Sequence, residues 1–387
     1  MERKNRNIII LLNAFWNNGK GMSGGDQMLI QIFKRIGKHF GEIVCYTSVD
    51  GKRAILKNSL DIMKFNVSFT LFDTFPVIIA YVCRTIQSLK LVFNRHTDIV
   101  YSGSDFFPDV IPAFLYKILH PKKKWIQCVF HIYPDWRIRP GNKVRNFVAQ
   151  YLQKFSFILI KKSDVIININ NQVKAELVKL GFSEDRIVVN TPGIDVEYLQ
   201  NLAVSQNTKK YDGTFLARLS PSKGIFDLIE IWKKVTEINP QMTLAILGGG
   251  GNKETVIHLH KQITKAKLEK NVFLLGFLEN DEAFSIIKNS KVFLFPSHEE
   301  GFGIAIAEAM ACKVAVVAWD LPVYKEIFEN KIIQVKKGDT TRFAKSVAEL
   351  LENEDIRLKK INEGMIQVKK YSWNSIADKH LHILMNC

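Results

Sequence analysis

The stretch SHEEGFGIAIAEAMACK, residues 297–313, sets two of its three glutamates, Glu300 and Glu308, eight positions apart around an otherwise apolar run. A carboxylate taken out of water costs roughly 1–3 kcal/mol unless something pairs with it. Either Glu308 is a core residue satisfied by its neighbours, or this helix end is a site. Gly301 and Gly303 leave backbone N–H groups open to close approach, and a helix start favours an anion. If the segment is helical throughout, Glu308 lies about 12 Å beyond Glu300. That is too far for a paired acid and base, and suits a grip on two ends of an extended ligand.

A second stretch, TFLARLSPSKG at 214–224, delivers Arg218 and Lys223 on a strand-to-helix loop. Arg offers fixed planar donors and Lys a point charge, a combination that suits a diphosphate. A pair of solvated surface cations is the alternative. LAILGGGG, 244–251, sets Gly248 after a strand without matching the GxGxxG dinucleotide pattern. It reads equally as an ordinary turn or a nucleotide-facing loop. The stretch around Leu278, after the run FLLG, reads likewise either as an ordinary turn or as main chain that meets a base edge. In the first half, MSGGDQ at 22–27 precedes an amphipathic run, so Gly24 and Gly25 form a glycine turn at a helix start. Gly25 is there a candidate phosphate contact, against the commoner reading of a tight turn. His131 follows WIQCVF, at a strand end, where a polar contact or an acid/base role is open to it.

Positioning these residues requires strands that all end on the same side. Short apolar runs at 8–12, 42–47, 99–101, 125–130, 165–169 and 187–189 read as strands. A second series falls at 214–217, 243–247, 272–275, 292–295, 314–318 and 332–335. Helix-length amphipathic segments, among them 26–39, 172–180, 225–238 and 282–290, alternate with them. This alternation predicts an α/β protein with parallel sheets covered on both faces. The polar stretch 195–212 divides the two series. The chain therefore reads as two doubly wound, Rossmann-like domains whose carboxyl strand ends face each other across a cleft, where such sheets bind ligands.

The chain has 387 residues, long for one core, and a formal charge of +16. Residues 1–200 carry 28 Lys/Arg against 16 Asp/Glu, a net +12, leaving 26 against 22, a net +4, for the remainder. An anionic partner is expected at the first half. Cys45, Cys83, Cys128, Cys312 and Cys387 show no metal-ligand spacing and read as reduced thiols in a cytosolic protein. The start MERKNRNIIILL has the charge pattern of a signal peptide but no small-residue cleavage site, and is read as a first strand.

Taken together, these residues resemble the retaining nucleotide-sugar glycosyltransferases of the GT-B fold, glycosyltransferase family four. The resemblance rests on the Gly24-Gly25 pair, on His131, on the loop from Arg218 to Lys223-Gly224, and on PSHEEGFG with Glu308 eight beyond Glu300. It implies an acceptor-binding domain at 1–195 and a donor domain at 205–370. A last helix, 371–387, would cross back to the first domain. It implies a hexosyltransferase using a UDP- or GDP-sugar, with no cofactor and no metal, and the chain has no Asp-x-Asp motif. Arg218 and Lys223 would neutralise the diphosphate, aided by Gly25 and the amides around Phe302, Gly303 and Ile304. Glu308 would take the ribose hydroxyls and Glu300 those of the sugar, while His131 would sit near the reacting carbon. The family's Gly-x-Pro after the helix is here Lys313-Val-Ala, and its following Gly-Gly is Asp320-Leu-Pro322. Both departures bear on which sugar the donor carries. The acceptor would be a glycan or lipid-linked hydroxyl in cell-surface polysaccharide or glycolipid assembly.

Residues 76–95 and 142–162 mix long apolar faces with Lys and Arg. With HPKKKW at 120–125 they suggest docking on an anionic membrane, placing a cytoplasmic protein on the inner leaflet. A core-facing helix with a solvated basic side explains the same pattern. Two rivals remain at this stage. A non-catalytic nucleotide-sugar binder would keep the donor site. A basic nucleic-acid binder would leave both glutamates unexplained and lacks a recognition motif, so no nucleic-acid partner is expected.

Overall fold

The structure, a computed structural model, describes residues 6–15, 24–57, 62–137, 142–205, 208–251 and 253–387. Two compact units emerge. The first comprises 1–192 with 374–387, and the second 193–373.

In the first unit the chain runs β1 (Ile8–Leu12), α1 (Gly24–Ile36), β2 (Ile43–Thr47), α2 (Val49–Lys57) and β3 (Lys64–Val67). It continues α3 (Val77–Ser88), β4 (Ile99–Ser102), α4 (Phe107–Leu119) and β5 (Lys124–Cys128). Then follow α5 (Lys143–Ile160), β6 (Val165–Asn168), α6 (Asn171–Lys179) and β7 (Ile187–Val189). The second unit holds α7 (Val196–Asn201), β8 (Gly213–Leu216), α8 (Ile225–Ile238), β9 (Leu244–Leu247), α9 (Lys253–Lys265) and β10 (Val272–Gly276). After these come α10 (Asn280–Lys288), β11 (Val292–Phe295), α11 (Ile304–Ala311), β12 (Ala315–Trp319) and α12 (Pro322–Ile327). β13 (Ile333–Val335), α13 (Thr340–Glu352) and α14 (Glu354–Val368) close it, before α15 (Trp373–Asn386).

The apolar runs become strands because both faces of each sheet are covered. All five residues of β1 are buried, paired in parallel with β2 on one side and β4 on the other. The run after the basic start of the chain is thus an inner strand of a sheet. The first sheet has the order β3-β2-β1-β4-β5-β6-β7 and the second β10-β9-β8-β11-β12-β13. Every described pairing between these strands is parallel. In each sheet the order reverses once, between β1 and β4 and between β8 and β11. A crevice opens at such a reversal, at the carboxyl ends of the strands.

Two elements depart from the sequence reading. β3 was not expected: it is an edge strand, KFNV, with Lys64 exposed, so it lacks the apolar run of the inner strands. α7 lies inside the stretch taken as a polar seam, held by an Asp195 side-chain cap on the Tyr198 N–H. Among the described residues no helix is long and apolar enough to cross a membrane.

The last helix belongs to the first unit. Arg6 donates to the Leu384 carbonyl at 2.9 Å, and Arg35 to the Asn374 side chain at 2.9 Å. His380 is fully buried against the rings of Phe33 and Tyr101, and Asn190 donates to its Nδ1 at 2.9 Å. Burial drops its imidazole from 6.5 to about 3, because the charged form cannot be solvated there. The folded state therefore refuses a proton that the unfolded chain accepts below about pH 6.5. This contribution to stability is present above the unfolded value and is lost as pH falls toward the folded one. Urea denaturation of wild type should show stability falling by up to about 1.4 kcal/mol per pH unit from this residue between about pH 6 and 4. His380→Gln should be less stable at neutral pH and lack that part of the acid slope.

Candidate active site

In the second unit the reversal falls between β8 and β11, and the loops leaving those strands carry most of the chemistry read from the sequence. β8 runs into Arg218, a 3₁₀ turn Pro221–Lys223, and then Gly224 at φ +71°, which opens α8. A Cβ on Gly224 would lie 1.8 Å from the Pro296 carbonyl oxygen, in the loop after β11. Only glycine fits both the angle and the approach, so the two loops are locked together. Gly248 works the same way. At φ +128°, a Cβ there would lie 1.8 Å from the Ala217 carbonyl oxygen, and its N–H donates to Gly276 at 2.8 Å. The loops after β8, β9 and β10 are thereby tied side by side. Gly248 is fixed by this packing.

The locked loops bring Lys223 and Glu300 into an ion pair of 2.6 Å. Their side chains are only 18% and 13% exposed, so solvent screens the pair weakly. Ser297, buried, reaches the same Glu300 oxygen at 3.0 Å, and His298 N–H donates to the Ser222 carbonyl at 2.8 Å. The sequence set these two residues on different parts of a ligand. In this structure they hold each other. Arg218 is exposed and has no carboxylate partner among the described residues, which leaves its guanidinium directed to solvent at the same strand ends.

Gly301 and Phe302 lie in the loop, and Gly303 caps α11 at φ +95°. The helix proper begins at Ile304, so the eight-residue spacing from Glu300 to Glu308 is half loop rather than two turns of helix. Phe302 is buried edge-on against Tyr371 and Phe328, which fixes the loop that presents the first amides of α11. Glu308 sits half-buried on the second turn. No group among the described residues hydrogen-bonds to its carboxyl or pairs with it, and burial raises that carboxyl to about 8. Beside it, the Cys312 thiol is pushed to about 12 by burial and by Glu308. Leu278 is half-buried in the loop after β10, next to the β9 loop that Gly248 anchors.

Gly25 and His131 belong to the first unit. Residues 22–23 fall outside the described residues. Gly24 and Gly25 lie in the first turn of α1 rather than in a turn before it. A Cβ on Gly25 would come 2.6 Å from the Phe130 ring, so this glycine seats the helix start against the loop that carries His131. β5 ends at Cys128, which leaves His131 exposed in that loop. Gln153 of α5 donates to the His131 carbonyl at 2.8 Å and to Asp105 at 2.6 Å.

Two carboxylates at the reversal of the first sheet went unread. Asp105 is raised to about 6 by burial, against the lowering effect of Gln153. Asp109, fully buried, is raised to about 8, although it accepts from Ser104 at 2.5 Å and from the Asn13 N–H at 2.6 Å. The run GSDFFPD directly after a strand was the available signal.

Two parallel sheets of this kind, with cations, a carboxylate and a helix start gathered at one reversal, define a doubly wound α/β fold with a candidate ligand site. Residues 202–367 match the family described as Glycosyl transferases group 1. An uncharacterized glycosyltransferase of Methanocaldococcus jannaschii is 22% identical over 76% of this chain and 77% of its own. O-antigen chain mannosyltransferase B of Escherichia coli is 22% identical over 74% of each. Among solved structures, a Rickettsia africae glycosyltransferase superposes with TM-score 0.76 at 16% identity, covering 99% of this chain and 100% of that one. Anabaena HepE in complex with UDP-glucose gives 0.72 at 18% identity over 98% and 100%. Those structural likenesses carry the fold. Residues 202–367 of the second unit therefore match the group 1 glycosyl transferases, and the two parallel-sheet units have the GT-B fold.

Glu308 gives a direct test of the strain at the site. Its folded carboxyl titrates at about 8 against 4.5 when solvated, so the folded state holds a proton the unfolded chain has released. Stability then falls as pH rises through that window, the opposite sense to a paired carboxylate. Glu308→Gln should melt higher relative to wild type at about pH 8 than at about pH 5, as read by differential scanning fluorimetry.

Proposed function

We propose that the chain transfers a hexosyl group from a UDP- or GDP-sugar to a hydroxyl of a glycan or lipid-linked acceptor, with retention of anomeric configuration and without a metal. The supporting observation is the reversal of the second sheet, where Arg218, which has no carboxylate partner among the described residues, the Lys223–Glu300 pair and the start of α11 share one set of strand ends. In the reaction the bond from the sugar's anomeric carbon to the diphosphate oxygen breaks and its electron pair leaves with the diphosphate. The acceptor oxygen bonds to that carbon from the same face, and its proton departs with the leaving group.

Each residue then has a task. Arg218 meets the diphosphate as it gains charge, with Lys223 and the amides of Phe302, Gly303 and Ile304 adding to the field. Oriented cations and a helix start do here what a divalent ion does elsewhere. Glu300, held in place by Lys223 and Ser297, accepts from the sugar hydroxyls with its remaining oxygen. Glu308 takes the ribose, whose hydroxyls supply the hydrogen bonds that its protein neighbours do not. Gly248, Gly301 and Leu278 shape the floor for the nucleoside.

A thermal-shift screen against nucleoside diphosphates and nucleotide sugars tests the donor half, since a ligand of the folded state raises its melting temperature. UDP or GDP should stabilise the chain, and Arg218→Ala should remove most of that shift. The same variant should lower transfer by about 10²–10³-fold with its fold intact, the scale of losing one charge-stabilising donor. Proton NMR of the product should show the donor's anomeric configuration. No shift with any nucleotide, or an inverted product, would contradict the reading.

A further inference from the structure

Two helices of the first unit are turned inside out. A helix lying on a sheet ordinarily buries its apolar stripe and exposes its polar one. α3 does the reverse, burying Ala80, Arg84, Thr85 and Ser88 while Val77, Ile78, Ile79, Val82 and Ile86 face outward. α5 repeats the pattern. Its buried side includes Asn146, Gln150, Gln153 and Ser156, and its exposed side Val144, Phe147, Tyr151, Phe155 and Ile158.

The buried polar sides have a task, which explains the inversion. Arg84 donates to the carbonyls of Asn13 and Phe15 at 2.9 and 3.0 Å and pairs with Asp73 at 2.5 Å. Tyr81 donates to the Ala14 carbonyl at 2.8 Å. On α5, Gln153 and Gln150 accept from the N–H groups of Tyr133 and Trp136 at 2.9 and 3.3 Å. Both helices therefore spend their polar residues on the loops after β1 and β5, and their apolar residues are left for solvent.

The exposed sides join into one layer. α4 packs between α3 and α5, and it adds Ile118 and Leu119 to the outer face. The turn before α3 adds Phe69 and Leu71. The charged residues of α3 and α5 are all basic. Neither α3 nor α5 contains an Asp or Glu, while exposed Arg145 and Lys154 lie on α5, and Lys161 and Lys162 follow it. A broad apolar face with a cationic border is the chemistry of docking in the headgroup region of an anionic bilayer.

We infer that the outer face of α3, α4 and α5 docks the first unit onto an anionic lipid surface, its apolar side chains entering the headgroup boundary and its cations meeting the phosphates. This goes beyond the transfer reaction and does not depend on it. It replaces the alternative of two core-facing amphipathic helices with solvated basic sides, because the apolar sides are the ones exposed.

The test is flotation of the full chain with phosphatidylcholine vesicles, with and without phosphatidylglycerol, at low and high salt. Wild type should float with the anionic vesicles and be released by salt. Ile78→Asp combined with Ile158→Asp, both at exposed positions, should weaken partition at least about tenfold, and Arg145→Glu with Lys154→Glu should do the same. Ile366→Asp, equally exposed on the second unit, should float as wild type does. Unchanged melting temperatures would show that these variants fold. Failure of wild type to float at low salt, or flotation unchanged in both double variants, would overturn the inference. So would a dimer in light scattering that Ile78→Asp/Ile158→Asp splits, since a second copy of the chain would then own this face. None of these readouts involves sugar transfer, so the donor assignment stands or falls separately.

Discussion

The Lys223–Glu300 pair is the contact on which the second unit's chemistry depends. It joins loops 77 residues apart in sequence, across the reversal where their strands β8 and β11 lie side by side. The pair is largely withdrawn from water, so removing either partner leaves a mostly buried charge uncompensated, at a cost of roughly 3 kcal/mol. The backbone was shaped to allow it. Gly224 touches the Pro296 carbonyl where no other residue would fit, and Ser297 bonds to the same carboxylate oxygen from its own loop. One carboxylate oxygen is thus committed to the protein and the other remains for a ligand. A site held this firmly before substrate arrives loses little freedom on binding.

Around that knot the remaining polar groups are unequal in a useful way. Glu300 is held by Lys223 and Ser297, whereas Glu308 has no partner among the described residues, and burial keeps Glu308 protonated near neutral pH. Arg218 is exposed and unpaired among the described residues. A ligand with a negative diphosphate and hydroxyls beyond it supplies what both lack. The first unit follows a related economy with helices instead of loops. There α3 and α5 use their polar sides to hold the loops after β1 and β5, and the apolar sides that would ordinarily form a core are turned out.

Much of this was legible in the sequence, for identifiable reasons. Inner strands such as β1 and β11 are buried on both faces, so they read as unbroken apolar runs. β3 did not, because an edge strand with Lys64 and Asn66 carries no such run. RLSPSKG and SHEEGFG were legible because turn residues, glycines and charges fall within one local window. The pairing of Lys223 with Glu300 was not, since it is a long-range consequence of strand order. For Asp105 and Asp109 the run GSDFFPD after a strand was a local signal, but that this strand end lies at the reversal of the first sheet follows only from the strand order. For α3 and α5 the sequence showed an apolar stripe and a basic one. Which stripe faces inward depends on what the neighbouring loops need, and that emerges only in three dimensions.

The most direct measurement is a crystal structure of the chain with UDP or GDP bound. The account predicts the diphosphate on Arg218 and the first amides of α11, the ribose hydroxyls on Glu308, and the Lys223–Glu300 pair retained beside them. A nucleotide bound elsewhere in the second unit, or bound here with Glu308 untouched, would contradict it.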